Sequence, residues 1–134
     1  MGYGKVTQIF DNQQANAESS AIEHAAAYSH HLYVVVPANL DVPGGDTFTV
    51  QMQISPSGET DEWVVAERGE EAPGTTTMEL TQADVAQEDA GDKYVGYIGT
   101  FGFLAPYIRL ELLNFNDNAG GDLYVDAYLQ HLFA

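Results

Sequence analysis

The chain has 134 residues and a formal net charge of −16, because 20 Asp and Glu residues face only four Lys and Arg residues. This balance argues against nucleic acid or an anionic membrane as a partner, since affinity for phosphates comes from clustered Lys and Arg. The absence of cysteine excludes a disulfide framework, a thiolate metal site and a cysteine nucleophile. Without a long apolar run or a signal-peptide pattern at the start, we expect a soluble, unprocessed chain.

The acidity is typical of proteins adapted to very high salt. The excess negative charges repel one another in dilute buffer, but at 1 M salt charge interactions are screened within about 3 Å. A disordered acidic chain is the alternative. However, 45% apolar residues, with six Phe and eight Tyr, favour a packed core. We therefore expect one folded domain in a high-salt environment.

Alternation of apolar and polar residues predicts most of the secondary structure. The clearest case is Thr47–Ser55, in which apolar residues alternate with Thr and Gln. Leu32–Val36 is apolar and β-branched, and the turn-rich stretch after it leads us to expect a hairpin between these two strands. Pro56, Ser57 and Gly58 then predict a turn. The pattern predicts further strands at Glu62–Glu67, Thr75–Thr81, Tyr94–Thr100, Tyr107–Leu113 and Leu123–Phe133.

The N-terminal segment permits several interpretations. Ala15–His30 fits a short strand around Ala21 and Ile22, which we favour, or an alanine-rich helix capped by Asn16. Residues 1–28 could also form an N-terminal arm that orders only on a partner.

The C-terminal third completes an all-β pattern. The last two predicted strands flank an Asn- and Gly-rich turn, residues 116–121, and are expected to form a central hairpin. Gln82–Asp92 is predicted to be an exposed acidic loop with at most one helical turn. About eight or nine short strands without βαβ alternation predict an antiparallel β-sandwich or jelly roll, with residues 1–134 as a single domain.

The order of the segments carries a further signal. LYVVV is followed by FTVQMQISPSGETDEWVVAE, TTTMELT and YIRLELLN, and then by a Gly-rich turn and LYVDAYL. A strand thus ends in a Ser-Pro and Gly turn, a Trp opens the next strand, and a Tyr-x-Arg strand follows. The residues concerned are Ser55, Pro56, Gly58, Trp63, Tyr107 and Arg109. This order, roughly from Leu32 to Leu129, resembles small β-sandwich structural proteins of tailed viruses.

The resemblance and the acidity together imply a virion structural protein of a tailed virus that infects halophilic archaea. Such a protein would be a capsid decoration or vertex (turret-like) subunit, or a tail component. It would form a homo-oligomer, a trimer or pentamer, that docks on other capsid or tail proteins at the particle exterior. It would not be an enzyme. The alternative is a carbohydrate-binding or host-adhesion module, in which Trp63 and surface tyrosines stack on glycans.

Six residues are candidates for interfaces between subunits. Arg109, on an apolar strand, is expected to pair with a carboxylate such as Glu111 or Asp126, or with a neighbouring subunit. Trp63 is expected to be either a core residue or an interface anchor. The stretch 97–105 is either an exposed docking loop or a buried, bulged strand. The candidates are Trp63, Tyr97, Phe101, Phe103, Tyr107 and Arg109.

No catalytic or cofactor-binding constellation is expected, because the chain has no G-x-S-x-G motif and no chelating histidine spacing. Adjacent His30 and His31 would point to opposite faces of a strand, so a metal site would have to join His24 and His131. The best cation candidate is a calcium-like loop without a closing Glu, and an ordinary hairpin turn explains the same residues. The oxygen-bearing residues of this loop are Asn114, Asn116, Asp117, Asn118 and Asp122.

We predict that folding and assembly both require salt. In dilute buffer the unscreened charges should unfold or dissociate the protein, whereas at about 2–3 M salt it should be folded and oligomeric. Circular dichroism and size-exclusion chromatography with light scattering, at both salt concentrations, measure the two transitions. A folded oligomer that persists in dilute buffer would contradict this expectation.

Overall fold

The computed structural model describes residues 5–23, 29–67, 77–85, 92–101, 106–118 and 122–132. Within these ranges the chain forms ten strands and one short helix. They are β1 (Lys5–Gln13), β2 (Ala17–Glu18), β3 (Ile22–Glu23), β4 (Ser29–Pro37), β5 (Thr47–Ser55), β6 (Val64–Val65), β7 (Glu79–Thr81), α1 (Gln82–Val85), β8 (Lys93–Phe101), β9 (Tyr107–Asn116) and β10 (Val125–Leu132). Across the same ranges, no helix is long and apolar enough to cross a membrane.

The strands form two antiparallel sheets. Sheet A has the order β1-β10-β4-β8, and sheet B has the order β2-β9-β5-β6, with β3 also paired to β9 and β7 to β5. The predicted all-β antiparallel sandwich is therefore confirmed.

The core lies between the sheets and is supplied by every second residue of their central strands. In β5, for example, Phe48, Val50 and Met52 are fully buried, while the Thr and Gln residues between them face outward. Each fully buried apolar side chain of this size stabilises the fold by about 1.5–3 kcal/mol. The other main contributors are Leu32, Val34 and Val36 of β4, Ile108, Leu110 and Leu112 of β9, and Val125, Ala127 and Leu129 of β10.

Both predicted hairpins are wrong. β4 lies in sheet A and β5 in sheet B, and β9 and β10 are separated in the same way. Instead, β4 pairs with β10 and β5 pairs with β9. The two strand pairs form one ribbon that passes from sheet A to sheet B, as in a jelly roll. Periodicity identifies the buried face of a strand but not the sheet that the strand joins, which is why the sequence did not distinguish these pairings.

The two connections that carry this ribbon between the sheets are held together by Asp46. This carboxylate is only 2% exposed. Its Oδ2 accepts the backbone N–H of Asp41 at 3.0 Å, and its Oδ1 accepts the backbone N–H of Asn118 at 2.9 Å. The Asn118 amide in turn donates to the carbonyl of Gly44 at 2.7 Å. We call this arrangement the Asp46 corner.

The described N-terminal residues belong to both sheets. β1 pairs with β10 in sheet A, whereas β2 and β3 pair with β9 in sheet B. The favoured strand around Ala21 and Ile22 corresponds to β3, and the helical alternative is wrong at residues 17–18 and 22–23. β1 was not predicted, because two register shifts, at Gln8/Phe10 and Phe10/Gln13, break its alternation.

The single helical turn allowed within Gln82–Asp92 is α1, but this turn is not wholly exposed. Val85 is fully buried. A Cβ atom at Gly96 of β8 would lie 2.6 Å from Val85 Cγ2, so glycine is required where α1 packs on that strand. Residues 86–91 lie outside the described ranges.

We predict that Asp46→Ala lowers the free energy of unfolding by about 2–4 kcal/mol, because two backbone N–H groups lose a charged, buried acceptor. Denaturant unfolding at high salt, followed by circular dichroism, measures the change. The matched control is Asp122→Ala, whose exposed carboxylate accepts from the Asn39 amide at 2.7 Å. It should cost less than about 1 kcal/mol. Equal losses in the two variants would contradict a special role of the corner.

Candidate functional site: the outer faces of the two sheets

The outer face of sheet B carries a hydrogen-bonded network centred on Arg109. The register places Gln53 of β5 opposite Arg109 of β9. Arg109 Nη1 lies 2.6 Å from Glu18 Oε2, and its Nε donates to Gln53 Oε1 at 2.6 Å. Gln53, only 7% exposed, donates to Glu111 Oε1 at 2.7 Å. The guanidinium carbon lies 4.5 Å from the ring centroid of Trp63.

The partner of Arg109 differs from the one expected. Its carboxylate is Glu18, and Glu111 is reached only through Gln53. Asp126 lies in the other sheet, where its Oδ1 accepts the backbone N–H of Asn12 at 2.6 Å. Glu18 was not found from the sequence, because β2 and β9 are far apart in the chain and only their long-range pairing brings it to Arg109.

Trp63 does not belong to the core, so the interpretation of Trp63 as a core residue is wrong. It is half-buried on the outer face of sheet B, and Arg109 covers one side of its ring. Tyr107 lies on the same face, packed against the predicted turn: a Cβ atom at Gly58 would lie 3.3 Å from Tyr107 Cδ1. Gly58 has a φ of 77°, and its N–H donates to the Ser55 hydroxyl at 2.8 Å. Residues that carry the resemblance thus meet at one end of sheet B.

The outer face of sheet A has a different character. Strand register aligns Tyr128, Tyr33 and Tyr97 in one row across β10, β4 and β8. The Tyr33 and Tyr97 ring centroids are 5.1 Å apart, and the Tyr33 hydroxyl donates to Gln130 Oε1 at 3.1 Å. Register and alternation place ten residues on this surface, which we call the tyrosine face. They are Val6, Gln8, His31, Tyr33, Val35, Val95, Tyr97, Gly99, Tyr128 and Gln130.

The ten residues named include no Asp, Glu, Lys or Arg, although the chain has a net charge of −16. Register and alternation align two charged residues with the tyrosine face. Asp126 is 7% exposed and hydrogen bonded to Asn12, and Lys93 is exposed at the start of β8. Three apolar side chains of this face are well exposed: Val6 at 55%, Val95 at 40% and Tyr97 at 53%. By contrast, the outer side of sheet B carries several carboxylates, so the two faces differ in charge.

A glycine on β8 allows His31 to lie across the tyrosine face. The His31 and Tyr97 rings meet edge to face, with centroids 5.2 Å apart. A Cβ atom at Gly99 would lie 2.6 Å from His31 Cδ2. Residues 97–101 belong to the regular strand β8, which pairs with β4 without a register shift, so neither a loop nor a bulge occurs there. The rest of the stretch, residues 102–105 with Phe103, and the side chain of Phe101 lie outside the described part of the chain.

The histidines His30 and His31 lie on opposite faces of β4, as predicted. His30 is buried beside His131, directly across from it in β10, with the two Nδ1 atoms 3.1 Å apart. His24, which was considered as a partner of His131, lies outside the described residues. Among the residues that are described, no group of three or more His, Asp and Glu residues could hold a metal ion.

The residues of the candidate calcium loop make hydrogen bonds within the chain. Asp117 Oδ2 accepts the backbone N–H of Leu123 at 3.0 Å, and Asp122 accepts from Asn39. The remaining contacts are made by the Asn116 amide to the Gly45 carbonyl, by the Asn118 amide to the Gly44 carbonyl, and by the Asn114 carbonyl, which accepts from the Thr47 hydroxyl. Asn114, Asn116 and Asn118 thereby extend the Asp46 corner.

No protein-family model and no curated protein matches the sequence. Among solved structures, the globular domain of zebrafish complement 1qA protein is similar, with a TM-score of 0.46 and 6% sequence identity. The match covers 100% of this chain and 98% of that chain.

We predict that Arg109→Ala lowers the free energy of unfolding by about 2–3 kcal/mol, because it leaves the nearly buried Gln53 without its donor and uncovers Trp63. Glu18→Gln should cost less than about 1 kcal/mol, since the Glu18 side chain is 55% exposed and salt screens the ion pair. Lys93→Ala, which also removes an exposed cation, is the control for net charge. Denaturant unfolding followed by circular dichroism compares the three variants, and an equal effect of Glu18→Gln and Arg109→Ala would contradict this ranking.

Proposed function

We propose that this chain is a non-catalytic structural subunit that assembles with copies of itself. The particular assembly is the one that the sequence resemblance implies: the exterior of a tailed virus of halophilic archaea, with the chain as a capsid decoration or vertex subunit. The observation that supports self-assembly is the tyrosine face, an exposed apolar and aromatic surface on a strongly acidic chain, whose one aligned carboxylate, Asp126, is nearly buried.

Charge favours a second copy as the occupant of this face. Two chains of charge −16 repel each other wherever their carboxylates meet. On the tyrosine face two copies can approach without bringing carboxylates together, and the contact would bury Tyr97, Val95 and Val6. Interface cores are depleted in charged residues and enriched in Tyr, which matches this composition.

High salt strengthens such a contact. Screening reduces the repulsion between the acidic surfaces that remain in solvent. Excluded salts also increase the gain from burying apolar surface. Self-association through the tyrosine face should therefore increase with salt, in contrast to association through ion pairs.

Glycan binding through Trp63 is less well supported, because Arg109 covers one side of the indole ring and leaves only the other for stacking. Isothermal titration calorimetry with oligosaccharides tests this alternative directly. Binding of a sugar by a chain that stays monomeric would favour the adhesion module over the structural subunit.

We predict that Val6→Asp and Tyr97→Asp each weaken self-association at least about tenfold, equivalent to about 1.4 kcal/mol, because each places a carboxylate within the face. Light scattering over a concentration series at about 2–3 M salt measures the effect. Val64→Asp is the matched control, since Val64 is 61% exposed on sheet B and should leave association unchanged. An unaltered chain that is monomeric at every concentration would contradict the proposed function.

A further inference from the structure

We propose that the free edge of β8 pairs with β8 of a second copy, in antiparallel orientation, to join two copies of sheet A into one continuous sheet. The inference rests on the proposed function, because it specifies the geometry of one contact between copies.

Most sheet edges of this protein have features that prevent strand addition. An exposed edge presents unpaired N–H and C=O groups, and proteins protect such edges with bulges, charges or very short strands. In sheet A, the β1 edge has two register shifts and carries Lys5 and Asp11. In sheet B, β2, β3 and β6 have two residues each and β7 has three.

The β8 edge is neither short nor irregular, and its charge is confined to its first residue. β8 has nine residues and pairs with β4 continuously from Lys93 to Phe101. It contains no proline or carboxylate, and Lys93 is its one charged residue. Within the described ranges, no strand is paired to its other edge. Alternate residues of an antiparallel strand direct their N–H and C=O groups away from the existing neighbour. β8 therefore offers a long, regular row of backbone donors and acceptors.

The charge and length of β8 favour a second copy as the partner. Another molecule of charge −16 can approach here because no carboxylate lies between Lys93 and Phe101. An antiparallel pairing centred on Tyr97 places Lys93 of each copy beside Phe101 of the other, so the two lysines lie at opposite ends. All nine residues of each strand are then paired, and the contact has the two-fold symmetry that is commonest among oligomers.

The pairing would also extend the tyrosine face. Residues directly opposite each other in an antiparallel pair lie on the same side of the sheet. Val95 and Tyr97 of both copies would then belong to one surface across eight strands. A two-fold contact at the edge and a separate contact at the face are together sufficient to build an assembly larger than a dimer.

Single cysteines test the edge contact, because the chain has no cysteine of its own. Cβ atoms of directly opposed residues in an antiparallel pair are about 4.5–5.5 Å apart, within reach of a disulfide after small adjustments. The test variant is Tyr97→Cys, because a pairing centred on Tyr97 places this residue directly opposite itself. The controls are Val95→Cys, which the same pairing places opposite Gly99 of the other copy, and Val64→Cys, on sheet B. Mild oxidation at high salt, followed by non-reducing gels, should crosslink Tyr97→Cys at least about tenfold faster than either control.

Hydrogen exchange of the unaltered chain gives an independent readout. Alternate amides between residues 93 and 101 should become protected as the protein is concentrated, because only strand pairing bonds them. An oligomer by light scattering without this protection, or with crosslinking of Val95→Cys or Val64→Cys as fast as that of Tyr97→Cys, would overturn the edge contact and leave the proposed function standing. A monomer at every concentration would overturn both.

Discussion

The arrangement of the whole molecule depends on the hydrogen bonds of one buried carboxylate. Asp46 binds N–H groups of both connections that cross between the sheets, and so holds these connections together where the paired strands β4 and β10 lead into the paired strands β5 and β9. The consecutive strands β4 and β5 are thereby directed into opposite sheets. Because the layers are separated in this way, each can have an outer surface of its own chemical character.

The two outer surfaces divide the charge of the chain between them. Sheet B keeps Glu18 and Glu111 in a network in which the Arg109 guanidinium and the Gln53 amide compensate the carboxylates. Sheet A has uncharged tyrosine, valine and glutamine side chains on its corresponding outer surface. In a chain with five times more acidic than basic residues, such a division does not follow from composition alone. It results from the alternation of side chains along β4, β8 and β10, which places the uncharged residues of three strands on one face.

Much of this structure could be predicted from local patterns, and the remainder depends on long-range pairing. Alternation over Thr47–Ser55 identified β5 and its buried residues, and the Pro-Ser-Gly sequence identified the turn that follows it. The same signals led to two incorrect hairpins, because the turn-rich stretches that suggested them are the connections held by Asp46. The Glu18 partner of Arg109 and the contact between His30 and His131 join residues 91 and 101 positions apart, as 109 − 18 and 131 − 30. Local sequence carries no signal for such separations.

The position of Trp63 gives the protein a built-in spectroscopic reporter. It is the single tryptophan, and it lies under Arg109 on the side of the sandwich opposite the tyrosine face. The fluorescence emission of Trp63 is therefore sensitive to loss of the Arg109 network during unfolding. The indole ring itself is remote from the surface where copies would meet. The tyrosine fluorescence of sheet A has the opposite sensitivity, since these rings lie on the surface where copies would meet and away from the Arg109 network. Recording both along a salt gradient distinguishes unfolding of the chain from dissociation of the proposed assembly, without any label.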